Sequence, residues 1–171
     1  MRAYYNLEGN TMQNNEYDVK VIKVVDGDTV DVDIDLGFGV TLTDERVRIM
    51  GIDTPESRTR DKVEDLFGEA AKARLKELMK DGGKLITTED RKGEDMKGKF
   101  GRVLGDFKVD YNGEMKKVTE IMTEEGHCVP YFGGSKEDTQ AAHEVNRVRL
   151  LSEGVIAQED YDAAIKLMED K

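Results

Sequence analysis

Val25-Asp26-Gly27-Asp28-Thr29-Val30-Asp31-Val32-Asp33-Ile34-Asp35-Leu36 is a turn followed by an unbroken alternation. Val30, Val32, Ile34 and Leu36 occupy every second place against Asp31, Asp33 and Asp35, which is the pattern of a strand with one face buried and one in water. The three aspartates are therefore expected on a solvated strand face. Upstream, Val19, Val21, Ile22, Val24 and Val25 read as a partner strand from Tyr17. Its phase slips once, which predicts a bulge. Asp26-Gly27 supplies a tight turn, so the two strands form a hairpin.

Working outward, Gly37-Phe38-Gly39 and Thr43-Asp44 punctuate a longer connection, and alternation resumes over Arg46 to Met50 as a third strand. Asp53-Thr54-Pro55-Glu56 breaks it, because Pro55 fixes its own φ and biases Thr54 away from helix. Leu66, Ala70, Ala73, Leu75, Leu78 and Met79 predict a helix from Val63 to about Lys80, ended by Asp81-Gly82-Gly83. Strands follow over Lys84 to Glu89 and Arg102 to Tyr111, and Asn112-Gly113 turns the chain into a hairpin with Glu114 to Lys117. Helices are expected over Val118 to Glu125, Glu137 to Ser152 and Gln158 to Met168, with Met115, Met122 and Met168 as core filler. About five strands with antiparallel-type connections and three to four helices, mainly after the strands, give an α+β domain on a five-stranded barrel. Residues 1–16 are expected to be a loose leader, 17–152 the domain, and 153–171 a C-terminal helical extension.

A chain of 171 residues fits one such domain without cross-links. The single Cys128 excludes an internal disulfide, no stretch is long and apolar enough for a membrane span, and the first residues lack the apolar run of a secretory signal. An intracellular setting is expected, and a monomer. The formal charge of −11 opposes a polyanionic partner. Between Lys84 and Arg102, however, six basic residues (Lys84, Arg91, Lys92, Lys97, Lys99, Arg102) meet four acidic ones (Glu89, Asp90, Glu94, Asp95), a slight local rim.

The Asp26-Gly27-Asp28 turn and the Asp53-Thr54-Pro55-Glu56 run supply the carboxylate oxygens that a hard cation requires, and Arg48 among them suggests a ligand that also carries negative charge, such as a phosphate. A calcium loop of the EF-hand type fails on spacing, since Leu36 and Leu42 stand where its glycine and its last glutamate belong. His127, Cys128 and His143 lack zinc-site spacing and read as ordinary packing or surface residues.

Taken jointly, Asp26-Gly27-Asp28-Thr29, Arg48, Asp53-Thr54-Pro55-Glu56 and Lys99-Phe100-Gly101-Arg102 resemble the staphylococcal nuclease (thermonuclease) family over about Tyr17 to Ser152. The resemblance implies an OB-fold barrel and a calcium-dependent nuclease acting on DNA and RNA, leaving 3′-phosphate and 5′-hydroxyl ends. It further implies Asp28, Asp53 and the Thr54 carbonyl as calcium ligands, Glu56 as the carboxylate that holds or activates the attacking water, and Arg48 and Arg102 as the phosphate grip. Asp26 falls behind the ligands as support. Lys99, Phe100 and Tyr131 are the candidate substrate contacts, with Phe100 where the family commonly has a tyrosine. Tyr131 is read equally well as a core residue. The alternative is a barrel of this type that only binds nucleic acid or protein.

Overall fold

The computed structural model describes residues 16–87, 102–131 and 133–170. Of the stretch read as a leader, Glu16 belongs to the first strand and residues 1–15 lie outside the described residues. Strands β1 (Glu16–Asp26), β2 (Thr29–Gly37), β3 (Val40–Ile49), β5 (Gly83–Thr87) and β6 (Val103–Tyr111) form the barrel. β4 (Ile52–Asp53) pairs with β8 (Val129–Pro130) in a separate ribbon, and β7 (Glu114–Lys117) extends β6 as a hairpin. Helices are α1 (Lys62–Leu78), α2 (Val118–Glu125), α3 (Lys136–Ser152) and α4 (Gln158–Glu169).

The β1–β2 hairpin shifts register twice, between Val21 and Lys23 and again between Val24 and Asp26, and the residue left over at the first shift, Ile22, is exposed. Asn112 and Gly113 both take positive φ, as the tight turn between β6 and β7 requires. One expectation is corrected: the connections are not all antiparallel. β3 and β6 run parallel, with Val47 opposite Val103 and Arg48 opposite Leu104, and this pairing closes the barrel. Two strands separated by α1 and β5 can run in the same direction, which local alternation does not reveal.

Val30, Val32, Val47, Ile49, Leu85 and Phe107 fill the barrel, each almost fully removed from water. Burial on this scale stabilises by about 1.5–3 kcal/mol per large apolar side chain. α1 closes one end with Ala71, Leu75 and Met79. Its other side buries Phe67 against Leu150 and Ile156, with Tyr161 of α4 edge-on at 6.2 Å between ring centroids. Two methionines depart from the core role expected of them. Met122 is buried, but Met115 and Met168 are exposed, because β7 is an edge strand and Met168 lies in the last turn of α4.

Asp31 is a further correction. It is buried rather than solvated, and its carboxylate accepts from Arg46 Nε at 2.8 Å and from the guanidinium NH2 group at 3.0 Å, directly across the β2–β3 ladder. This charge-assisted fork holds the Asp31 carboxyl below its usual range.

Candidate active site

Two acidic turns meet on the flank of α1. The first, Asp26 to Asp28, lies close to the helix at Gly27, where an added Cβ would stand 2.9 Å from the Ala71 Cβ and 3.3 Å from the Thr54 Cγ2. The second, Asp53 to Ser57, rests on the helix at Gly68, where an added Cβ would stand 2.3 Å from the Glu56 carbonyl oxygen. The two missing side chains thus let one helix draw both turns together. Asp61 caps that helix, accepting from the Val63 and Glu64 N–H groups at 3.0 Å each. Asp26 locks the turns from the other side: Ser57 Oγ donates to it, and Arg58 reaches its two carboxylate oxygens at 3.2 and 3.3 Å.

The β2–β3 register sets Thr29 opposite Arg48. Thr29 Oγ1 donates to Asp28 Oδ1 at 2.8 Å, and Arg48 approaches Asp28 Oδ2 at 3.4 Å. Arg48 also donates to the Ile49 and Ile52 carbonyls, which fixes its guanidinium between the third strand and the second turn. Glu56 keeps part of its surface in water. Partial burial, and then the charges of Asp28, Glu64, Asp26 and Asp53, hold its carboxyl above the usual range. Asp53 stands on β4 opposite Val129, and its Oδ2 lies 2.7 Å from Nε2 of His143 in α3. Thr54 is buried beside Gly27.

Arg102 immediately precedes the paired segment of β6, one strand from Arg48. Its Nε is buried with no acceptor among the described residues. It lines a cleft of about 670 Å³ with Asp26, Asp31, Arg46 and Arg58. A buried guanidinium nitrogen without an acceptor is costly, and a phosphate oxygen would satisfy it. Tyr131 lies elsewhere, partly exposed in a second cleft of about 650 Å³ with Pro130 and Val145. It is not a core residue. Lys99 and Phe100 lie outside the described residues.

Residues 46–150 match the family model described as staphylococcal nuclease homologue, which is more than half of the chain. The chain belongs to the staphylococcal nuclease family. No curated protein matches it. The family match takes in Arg48, Asp53 to Glu56, Arg102 and His143, and begins after the Asp28 turn, which the Arg48 and Ser57 contacts join to it. Membership of the staphylococcal nuclease family, with the closed barrel, points to nuclease-like chemistry or nucleic-acid binding. No helix among the described residues is long and apolar enough to cross a membrane.

The candidate donor set of Asp28, Asp53 and the Thr54 carbonyl is all oxygen, and the surrounding carboxylates give it excess negative charge, which helps hold the Glu56 carboxyl above its usual range. That chemistry fits a hard divalent cation. Among the described residues, however, no three His, Cys, Asp or Glu side chains form a ready cage. Sequence reasoning passed over His143 as an ordinary packing or surface residue. It is buried, and it touches a candidate ligand 90 positions away, a contact no local pattern signals. His127 and Cys128 are buried too. Burial pushes the His127 pKa down and the Cys128 thiol up to about 11.

Proposed function

We propose that this staphylococcal nuclease family member is a calcium-dependent nuclease that hydrolyses DNA and RNA phosphodiesters, leaving 3′-phosphate and 5′-hydroxyl ends. The observation that carries the reading is the meeting of the two turns on α1, which brings Asp26 to Asp28 and Asp53 to Ser57 to one flank of the helix, with Arg48 paired to Asp28. Asp28, Asp53 and the Thr54 carbonyl would hold the ion. When bound, Ca²⁺ polarises a phosphoryl oxygen and offsets the negative charge that accumulates during attack.

The chain's own residues supply the remainder. Glu56 takes the proton of the attacking water. The water oxygen bonds to phosphorus, the bond to the 5′ oxygen breaks, and that oxygen leaves with a proton from solvent. Arg48 and Arg102 present planar forks to the equatorial oxygens, where fixed positive charge is worth most as negative charge builds. The single, buried Cys128 fits a reducing, intracellular setting, and we take the active form to be the monomer.

One observation favours a module that only binds nucleic acid: Asp28 already accepts from Thr29 and pairs with Arg48, and Asp53 already pairs with His143. Glu56→Gln separates the two. The nuclease reading expects initial cleavage rates of single-stranded DNA to fall by about 10²–10⁴-fold. An unchanged rate would remove Glu56 from the chemistry, and no cleavage by either protein, with DNA still bound, would favour the module.

A further inference from the structure

His143 is one of two buried residues on α3, a helix whose Val145 and Val148 stand in solvent. A helix so sparingly buried is attached by particular contacts rather than by a broad apolar face. Two of them are polar and lie one turn apart: His143 meets Asp53 at 2.7 Å, and Asn146 Nδ2 donates to the Cys128 carbonyl at 3.2 Å. The first reaches the β4–β8 ribbon at Asp53, and the second reaches the residue that leads into β8. The exposures of the first pair are unequal, 8% for the histidine side chain and 41% for the aspartate. The imidazole is enclosed, while the carboxylate keeps one side open.

We infer that His143 is a positioning residue for the cation site, holding Asp53 Oδ2 so that the carboxylate offers a cation its other oxygen in a fixed orientation. The inference rests on the reading of Asp53 as a calcium ligand. An ionised carboxylate can only accept, so the Nε2 of His143 carries the proton between them. A side chain fixed by an enclosed donor loses little freedom when a cation arrives. Partners that orient ligands in this way are worth about 10–100-fold in metal affinity.

The test is calcium titration by calorimetry on the full chain, comparing wild type with His143→Gln, His143→Asn and Asn146→Ala. Circular dichroism and thermal melts in chelator report folding. The glutamine amide nitrogen can stand where Nε2 does, whereas the asparagine amide stops at the level of Nδ1 and falls short of Asp53. Expected is an affinity within about threefold of wild type for His143→Gln and at least tenfold weaker for His143→Asn. Asn146→Ala, which loosens the helix without touching Asp53, should bind as wild type does. Equal affinities for the two His143 variants would overturn the inference, as would an equal loss in Asn146→Ala, which would make His143 a helix anchor only. A folded wild type that takes up no calcium would instead overturn the underlying reading of Asp53.

Discussion

Gly68→Ala tests the placement of the two turns through a residue that carries no chemistry. The new methyl carbon would stand 2.3 Å from the Glu56 carbonyl oxygen, 2.5 Å from its carbon and 2.7 Å from the Ser57 nitrogen. All three are backbone atoms, so no rotamer change relieves the contact. Reaching even 3.0 Å requires helix and turn to part by about 0.7 Å. A displacement near 1 Å at a reacting group can cost about 10²-fold in rate, so a loss of roughly 10–100-fold in kcat is expected for DNA cleavage. Stability should change much less. Alanine gains about 1 kcal/mol over glycine within a helix, against about 1–3 kcal/mol for overpacking. The net cost of about 0–2 kcal/mol lowers Tm by a few degrees in a chain of this size. Initial rates on labelled single-stranded DNA, beside a thermal melt, measure both. A folded Gly68→Ala protein with kcat within twofold of wild type would refute the claim that contact with α1 sets the position of Glu56.

Arg102→Lys should lower kcat/KM for single-stranded DNA by at least about 10²-fold, since the charge stays but the fork is lost; a mild effect would make Arg102 a surface cation. The pH dependence of stability should carry a signature of His127, whose pKa burial holds below the usual value. Unfolded, this histidine takes a proton near pH 6.5, and folded it resists, so its contribution is present above that pH and is lost as the pH falls below it. Thermal melts from pH 7.5 to 5.5 should show a smaller acid-side decline for His127→Gln than for wild type, and parallel declines would contradict the assignment.

The hairpin of β1 and β2 and the Asn112-Gly113 turn were legible because each rests on local chemistry: alternation in one, a turn dipeptide with positive φ in the other. What escaped depends on contacts distant in the chain. Alternation assigned Asp31 to the outer face of its strand but could not show that Arg46 covers that face. The parallel closure of β3 on β6 and the meeting of Asp53 with His143 likewise join segments with no shared pattern. Phe67 went unnoticed because α1 has a second apolar face, toward α3 and α4. Gly68 did leave a sign, a lone glycine within a helical pattern, which commonly marks a close approach of backbone.

Among the candidate site residues, Asp28, Arg48, Asp53 and Glu56 were singled out by motif and family resemblance, and the fold sets the turns that carry them side by side. Tyr131 lines a different cleft from Arg102. A strand of nucleic acid would have to pass both clefts to meet Tyr131 and Arg102 together.

Cleavage of end-labelled single-stranded DNA by the purified protein, with millimolar Ca²⁺ or with chelator, tests the central claim most directly. Fragments ending in 3′-phosphate that appear only with calcium, and are lost in Asp28→Ala, are the predicted result. Intact DNA in the presence of calcium and folded wild-type protein would contradict it.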